Sequence, residues 1–177
     1  MIEPWYWLQE DTSVHHVIQA TELTGRKYPP IMRGDCFLRL EDTVTHYARK
    51  EPMFMPDFLF APTFMLENAM FELWQQLQPE LRGKSVQFFE EQNRLDAPMP
   101  LYWVPFLPSE EDALHVETKQ ELGRVVTPIL RREKLANRHF LHITLAGGQL
   151  WLASLTAVEA ILRQGTMGLT ITSVESR

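Results

Sequence analysis

Six histidines and one cysteine are the side chains of this 177-residue chain best suited to nucleophilic, acid–base or metal chemistry. Their spacing argues against most of it. His139 and His142 are three positions apart, and on a strand such residues point to opposite faces. They therefore do not converge on one metal ion, which would also need a third ligand and a supporting set of hydrogen bonds. His15 and His16 are adjacent and diverge; His46 and His115 have no partner nearby in sequence. Cys36 could pair with a histidine as a nucleophile, but Phe37, Leu38 and Leu40 suit a buried thiol. Gly147-Gly148 lacks the lysine and spacing of a phosphate loop and reads as a hairpin turn. No cofactor and no metal is expected.

Charge offers a second kind of chemistry. Residues 108–121 carry Glu110, Glu111, Asp112, Glu117 and Glu121 against Lys119 alone. Residues 124–138 carry Arg124, Arg131, Arg132, Lys134 and Arg138 against Glu133 alone. Ser109-Glu110-Glu111-Asp112 has the make-up of a helix start, with Ser109 capping and the acids near the positive end of the dipole. The same acids form a patch suited to a cationic partner surface. Glu110, Glu111, Asp112, Glu117, Arg131 and Arg132 are accordingly the candidate partner-contact residues. A net charge of −6 argues against a nucleic-acid footprint over the whole molecule. The run Arg131-Arg132-Glu133-Lys134 is short and fits a solvated face.

These side chains must be carried by a packed scaffold, and an apolar content of 45% supplies one. A single cysteine forms no internal disulfide. The first residues lack a secretion-signal pattern, and no stretch approaches the ~18 apolar residues of a membrane span. The expectation is a soluble cytoplasmic protein with neither membrane nor nucleic acid as partner; a homodimer is compatible.

Trp5-Tyr6-Trp7-Leu8, Cys36–Leu40 and Leu101–Val104 read as strands, the second following a turn at Arg33-Gly34-Asp35 and the third ended by Pro105. The dominant feature is a unit that occurs twice. Residues 57–91 and 140–175 each read strand, cap, helix, glycine, strand. In the first, Thr63 caps a stripe of Leu66, Met70, Leu73, Trp74 and Leu77, Pro79 stops it, and Gly83 leads to Val86 and Phe88. In the second, Ser154 caps Leu155, Val158, Ile161 and Leu162, and Gly168 leads to Leu169-Thr170-Ile171. Thr63 then aligns with Ser154 and Gly83 with Gly168, leaving the first copy six residues longer. Two unrelated strand–helix–strand segments fit this pattern equally well. The expected fold class is α+β: a mixed or antiparallel sheet with helices packed on one face. A single domain over 1–177 is expected, with lobes 1–100 and 101–177 as an option.

Several stretches taken in order resemble a known family. Pro56 to Glu91 has an aspartate and apolar strand, a capped helix, a glycine and a strand rich in valine and phenylalanine. Leu101-Tyr102-Trp103-Val104, Ala113-Leu114-His115-Val116 and Gly165 to Glu175 follow, and Trp5-Tyr6-Trp7-Leu8 is similar to an aromatic first strand. The pattern resembles immunity protein family eleven of bacterial polymorphic-toxin systems, with family forty-three as a near alternative. Residues 10–52 have no place on it, and its motifs are apolar patterns with no invariant catalytic residue. The resemblance implies a non-catalytic protein that binds a cognate toxin and occludes its active site. The residues alone leave two other readings open: a small hydrolase whose histidines and carboxylates assemble in space, and an adaptor or structural module of a secretion system or phage particle.

Overall fold

The computed structural model describes residues 3–13, 20–22, 33–48, 55–61, 63–90 and 100–177. His15, His16, most of the loop read at 92–100 and the side chain of His46 lie outside them. In chain order the elements are β1 (Trp5–Glu10), β2 (Ala20–Glu22), α1 (Gly34–Arg39), β3 (Thr43–Ala48), β4 (Phe58–Leu59), β5 (Met65–Glu67), α2 (Asn68–Leu77), β6 (Arg82–Glu90), β7 (Tyr102–Phe106), β8 (Lys119–Glu121), β9 (Arg124–Thr127), β10 (Ile129–Leu130), β11 (Phe140–Leu145), β12 (Gly148–Ser154), α3 (Leu155–Arg163) and β13 (Leu169–Ser176). The fold is α+β and rich in strands.

The expectation of one sheet gives way to two mixed sheets, of order β2-β3-β6-β7-β5-β4 and β10-β13-β1-β12-β11, plus the separate hairpin β8-β9. The sheets share one plan. A short hairpin (β4-β5, β11-β12) leads into a helix and then a strand (β6, β13). One antiparallel strand is inserted between the two strands that flank the helix: β7 in one sheet, β1 in the other. A parallel strand lies outside each second strand, β3 beside β6 and β10 beside β13. Because β1 belongs with the late strands and β7 with the early ones, the sheets do not divide at residue 100.

Register makes the correspondence residue by residue. Phe58 and Leu59 pair with Leu66 and Met65; Phe140 and Leu141 pair with Ala153 and Leu152. The helix caps are Glu67, whose carboxylate accepts from the Ala69 N–H at 2.7 Å, and Ser154, whose hydroxyl accepts from the Ala157 N–H at 3.3 Å. Counting from either cap, the third, fourth and seventh residues are the buried ones: Met70, Phe71 and Trp74, or Ala157, Val158 and Ile161. The Thr63–Ser154 alignment is therefore corrected. Thr63 is buried ahead of a strand, because Met65 and Leu66 are covered on both faces and hydrogen-bond as β5 instead of starting the helix. Gly83 lies inside β6, whereas Gly168, with φ +88°, precedes β13; the two are not equivalent.

Both helices turn their apolar stripes to one central core, which also takes Leu8, Leu66, Phe140 and Trp151 from the two sheets. Trp74 stacks on Phe140 with ring centroids 3.9 Å apart, and Phe64 stacks on Trp151 at 4.8 Å. The opposite face of the six-stranded sheet packs against α1, where Phe37 stacks on Phe106. Cys36–Leu40 is thus largely helix rather than strand, and the expected turn at Arg33-Gly34-Asp35 is its start. Helices therefore lie on both faces of that sheet. Pro105 does not end β7; it pairs with Gly83 beyond the last residue joined to β5, where its missing N–H removes no bond on that side.

One side chain ties the two sheets together. Gln78, buried just after α2, accepts with Oε1 from the backbone N–H groups of His139 (3.1 Å) and Phe140 (2.7 Å) at the start of β11. Among the described residues no helix is long and apolar enough to cross a membrane.

Candidate functional site

The outer face of the five-stranded sheet is covered by the connection between Phe106 and His139, the charged segment singled out in the sequence. Ala113, Leu130 and Leu135 bury themselves against Trp5, Leu141 and Leu152. The Glu110 N–H donates to the His142 carbonyl at 2.9 Å, so the segment runs beside β11 as a short extra edge. Ser109 is not a helix cap. Its hydroxyl accepts from the Thr144 N–H at 2.9 Å, and the turn that follows is a single 3₁₀ turn, Glu111–Ala113, with no side-chain cap.

Folding back brings the acidic and basic runs together. Glu110 pairs with Arg138 at 2.7 Å, Asp112 with Lys134, and Glu117 with Arg177. The Lys134 ammonium beside Asp112 holds its carboxyl below the usual carboxylate range. Arg131 is half-buried, and its backbone N–H donates to the Ala113 carbonyl. Arg132 donates from Nε to the Ser176 carbonyl at 3.0 Å. Of the four acidic candidates, Glu111 alone has no cationic partner among the described residues, and neither Arg131 nor Arg132 forms an ion pair with a described carboxylate. The patch is thus largely neutralised from within, and such exposed pairs add little to stability.

What the same connection sends outward is β8-β9. This hairpin forms a sheet of its own and exposes most of its side chains. Glu121 pairs with Arg124 across a two-residue turn, Leu122-Gly123, with φ of +50° and +77°. Positive φ at both central residues is the primed turn that matches the strand twist. It suits Gly123 and strains Leu122, whose side chain stands 103% exposed. The tip is held to the body: the Gly147 N–H donates to the Gly123 carbonyl at 3.1 Å, and a side chain at 147 would meet that oxygen at 2.5 Å. Val125 packs inward against the outer-face core, and a cleft of about 280 Å³ separates the hairpin from the β11-β12 turn. The sequence reading missed the hairpin. Its signal was Leu122-Gly123 followed by the β-branched run Val125-Val126-Thr127.

The described histidines do not assemble. His142 is buried, stacked on Trp151 at 4.3 Å, with Nδ1 3.1 Å from the Leu107 carbonyl and Nε2 3.2 Å from Gln149 Oε1. Burial pushes its pKa down, against the opposing pull of those two hydrogen bonds. His139 Nδ1 lies 3.1 Å from Ser154 Oγ, but that hydroxyl is fully buried and caps α3. His115 Nδ1 accepts from the Glu117 N–H at 3.3 Å. A cleft of about 390 Å³ beside His142 is closed at one side by the Glu110–Arg138 pair. Among the described residues no three histidine, cysteine or acidic side chains are grouped to hold a metal. No protein-family model and no curated protein matches the chain.

Proposed function

We propose that this protein is a non-catalytic immunity protein that binds a bacterial toxin domain and occludes its active site. The observation that carries the reading is the β8-β9 hairpin, a fixed projection tipped by a fully exposed leucine in a strained conformation. An apolar side chain on a preorganised tip loses little entropy on entering a cleft and makes a good central anchor. Strain of this kind persists where function uses it. We infer further that the two strand–helix–strand units are copies of one unit. The shared register, the Phe-Leu pair in both first hairpins and the matching buried helix positions support this. Their cap, stripe and pairing residues build a scaffold, which leaves recognition to the connection between β7 and β11.

The hydrolase reading draws on the Ser154–His139 contact, but a fully buried capping serine is a poor nucleophile, so binding is preferred. Co-expression with the product of the adjacent toxin-like gene tests the proposal. Protection and co-purification are expected from the wild type. Leu122→Asn suits a positive φ, so it should raise stability by about 0.5–1 kcal/mol while weakening capture of the toxin about tenfold or more. Full protection by Leu122→Asn would refute the role of the tip. Absence of any complex with the wild type would refute the immunity reading.

A further inference from the structure

The two sheets differ in what lies outside β6 and β13. In the six-stranded sheet β3 fills it over six residues, Thr43↔Ser85 to Ala48↔Glu90. In the five-stranded sheet β10 fills only two places, Ile129↔Glu175 and Leu130↔Ser176. The residue before β10 is Pro128, which has no N–H to give a ladder, and the chain ahead of it peels away as β9 to pair with β8. One side of β13 is paired to β1 from Leu169 to Val174. The other side of the same six residues has no backbone partner among the described residues.

That open edge is Leu169-Thr170-Ile171-Thr172-Ser173-Val174. It holds no charge, no proline and no glycine, and four of its residues are β-branched. Bare edges are ordinarily blunted by lysine, proline or a bulge, because their free N–H and C=O groups recruit another strand. Thr170, Thr172 and Ser173 are exposed. An exposed apolar residue stands near each end: Met167 (52%) just before β13, and Val126 (48%) just before the Pro128–Ile129 stop.

We propose that this edge pairs with the same edge of a second copy, antiparallel about a twofold axis near Thr172. An antiparallel pair centred there sets Thr170 beside Val174 and Ile171 beside Ser173. All of these lie within the open stretch, and no charges are opposed. It brings the Met167 end of each strand to the Pro128 end of the other, so that the two exposed apolar ends cover each other. A parallel partner would set like ends together. Leu169 then stands opposite Glu175, where the other copy's β10 begins, and Gly168, at φ +88°, turns each chain out of the strand line at that point. The two five-stranded sheets then become one, and the β8-β9 tips remain free for a different partner.

Light-scattering mass measurement across the micromolar range tests this on the full chain. The wild type should rise from 20.7 kDa toward twice that mass with concentration. Thr172→Lys and Thr172→Asp each place like charges across the axis and should weaken association about tenfold. Mixing the two variants should restore the dimer, an outcome that misfolding would not produce. In a Cys36→Ser background, Thr172→Cys should form an intermolecular disulfide on oxidation. A wild type that stays at 20.7 kDa, or a dimer unaffected by either charged variant, overturns the proposal.

Discussion

Replacing Gln78 separates hydrogen bonding from packing at the junction of the two sheets. Its Oε1 satisfies two backbone N–H groups, those of Phe140, which is fully buried, and His139, which is half-buried. A buried donor left unpaired costs about 1–3 kcal/mol. Full loss at Phe140 and partial loss at His139 give about 2–4 kcal/mol, a large part of a typical stability of about 5–15 kcal/mol. Gln78→Ala opens space continuous with the 390 Å³ cleft that Gln78 lines, so water can enter and accept from both groups. Its cost should fall near the low end, about 2 kcal/mol. Gln78→Leu keeps the volume and excludes water, so it should cost at least as much as alanine, about 3 kcal/mol. Were Gln78 only a filler, the order would reverse, since volume-conserving swaps usually cost under about 1.5 kcal/mol. Urea unfolding followed by circular dichroism gives both values, and exchange of the Phe140 amide reports the site directly. A leucine variant within about 0.5 kcal/mol of wild type would falsify the hydrogen-bond account.

Two further outcomes follow from named contacts. A methyl group on Gly83 would sit 2.4 Å from Phe71 Cζ and 3.2 Å from Trp103 Cε3, inside a stacked pair that cannot move far. Gly83→Ala should therefore cost about 1–3 kcal/mol, lowering Tm by about 2–4 °C per kcal/mol, and adding Phe71→Leu should recover part of it; an unchanged Tm in calorimetry would contradict the packing. Burial depresses the folded pKa of His142 below the ordinary 6.5. The unfolded chain then binds the proton first, so this stabilisation is whole above about pH 6.5 and declines as pH falls toward the folded pKa. NMR titration should find the ring mostly neutral at pH 6.5, and a mostly protonated ring there would refute it.

The parts legible in the sequence were those in which local signals agree with tertiary packing. The serine cap of α3, the Val158 and Ile161 part of its stripe, the aromatic first strand and a hairpin beside the paired glycines followed from spacing. Leu162 is instead 57% exposed with Ala157 buried, and the turn is Ala146-Gly147, with Gly148 already paired to Leu145. Thr63 misled because a hydroxyl ahead of an apolar run is a cap only if the run is amphipathic. Phe64-Met65-Leu66 is buried on every side, which periodicity does not distinguish from a helix start. Cys36–Leu40 misled for the opposite reason: a five-residue apolar run has no decisive period, and Phe37 stacking on Phe106 fixed a helix. The charged connection was located in advance, but its internal pairing was not, since which acid meets which base depends on the fold-back at β8-β9. The insertion of β1 and β7 was illegible, being a matter of strand order.

That insertion has a consequence for how the molecule assembles. β4, β5, α2, β6 and β7 are consecutive, so their ladders can close before the second half of the chain is made. β1 is made first, yet both of its neighbours, β12 and β13, are made last. Until they emerge from the ribosome, an aromatic strand with two bare edges must wait, exposed to pairing with the wrong partner. The closure of the second sheet is a long-range step, intrinsically slower than the local one. The six-stranded sheet can therefore form while β1 still waits for both of its neighbours, and that interval is when its bare edges are open to mispairing.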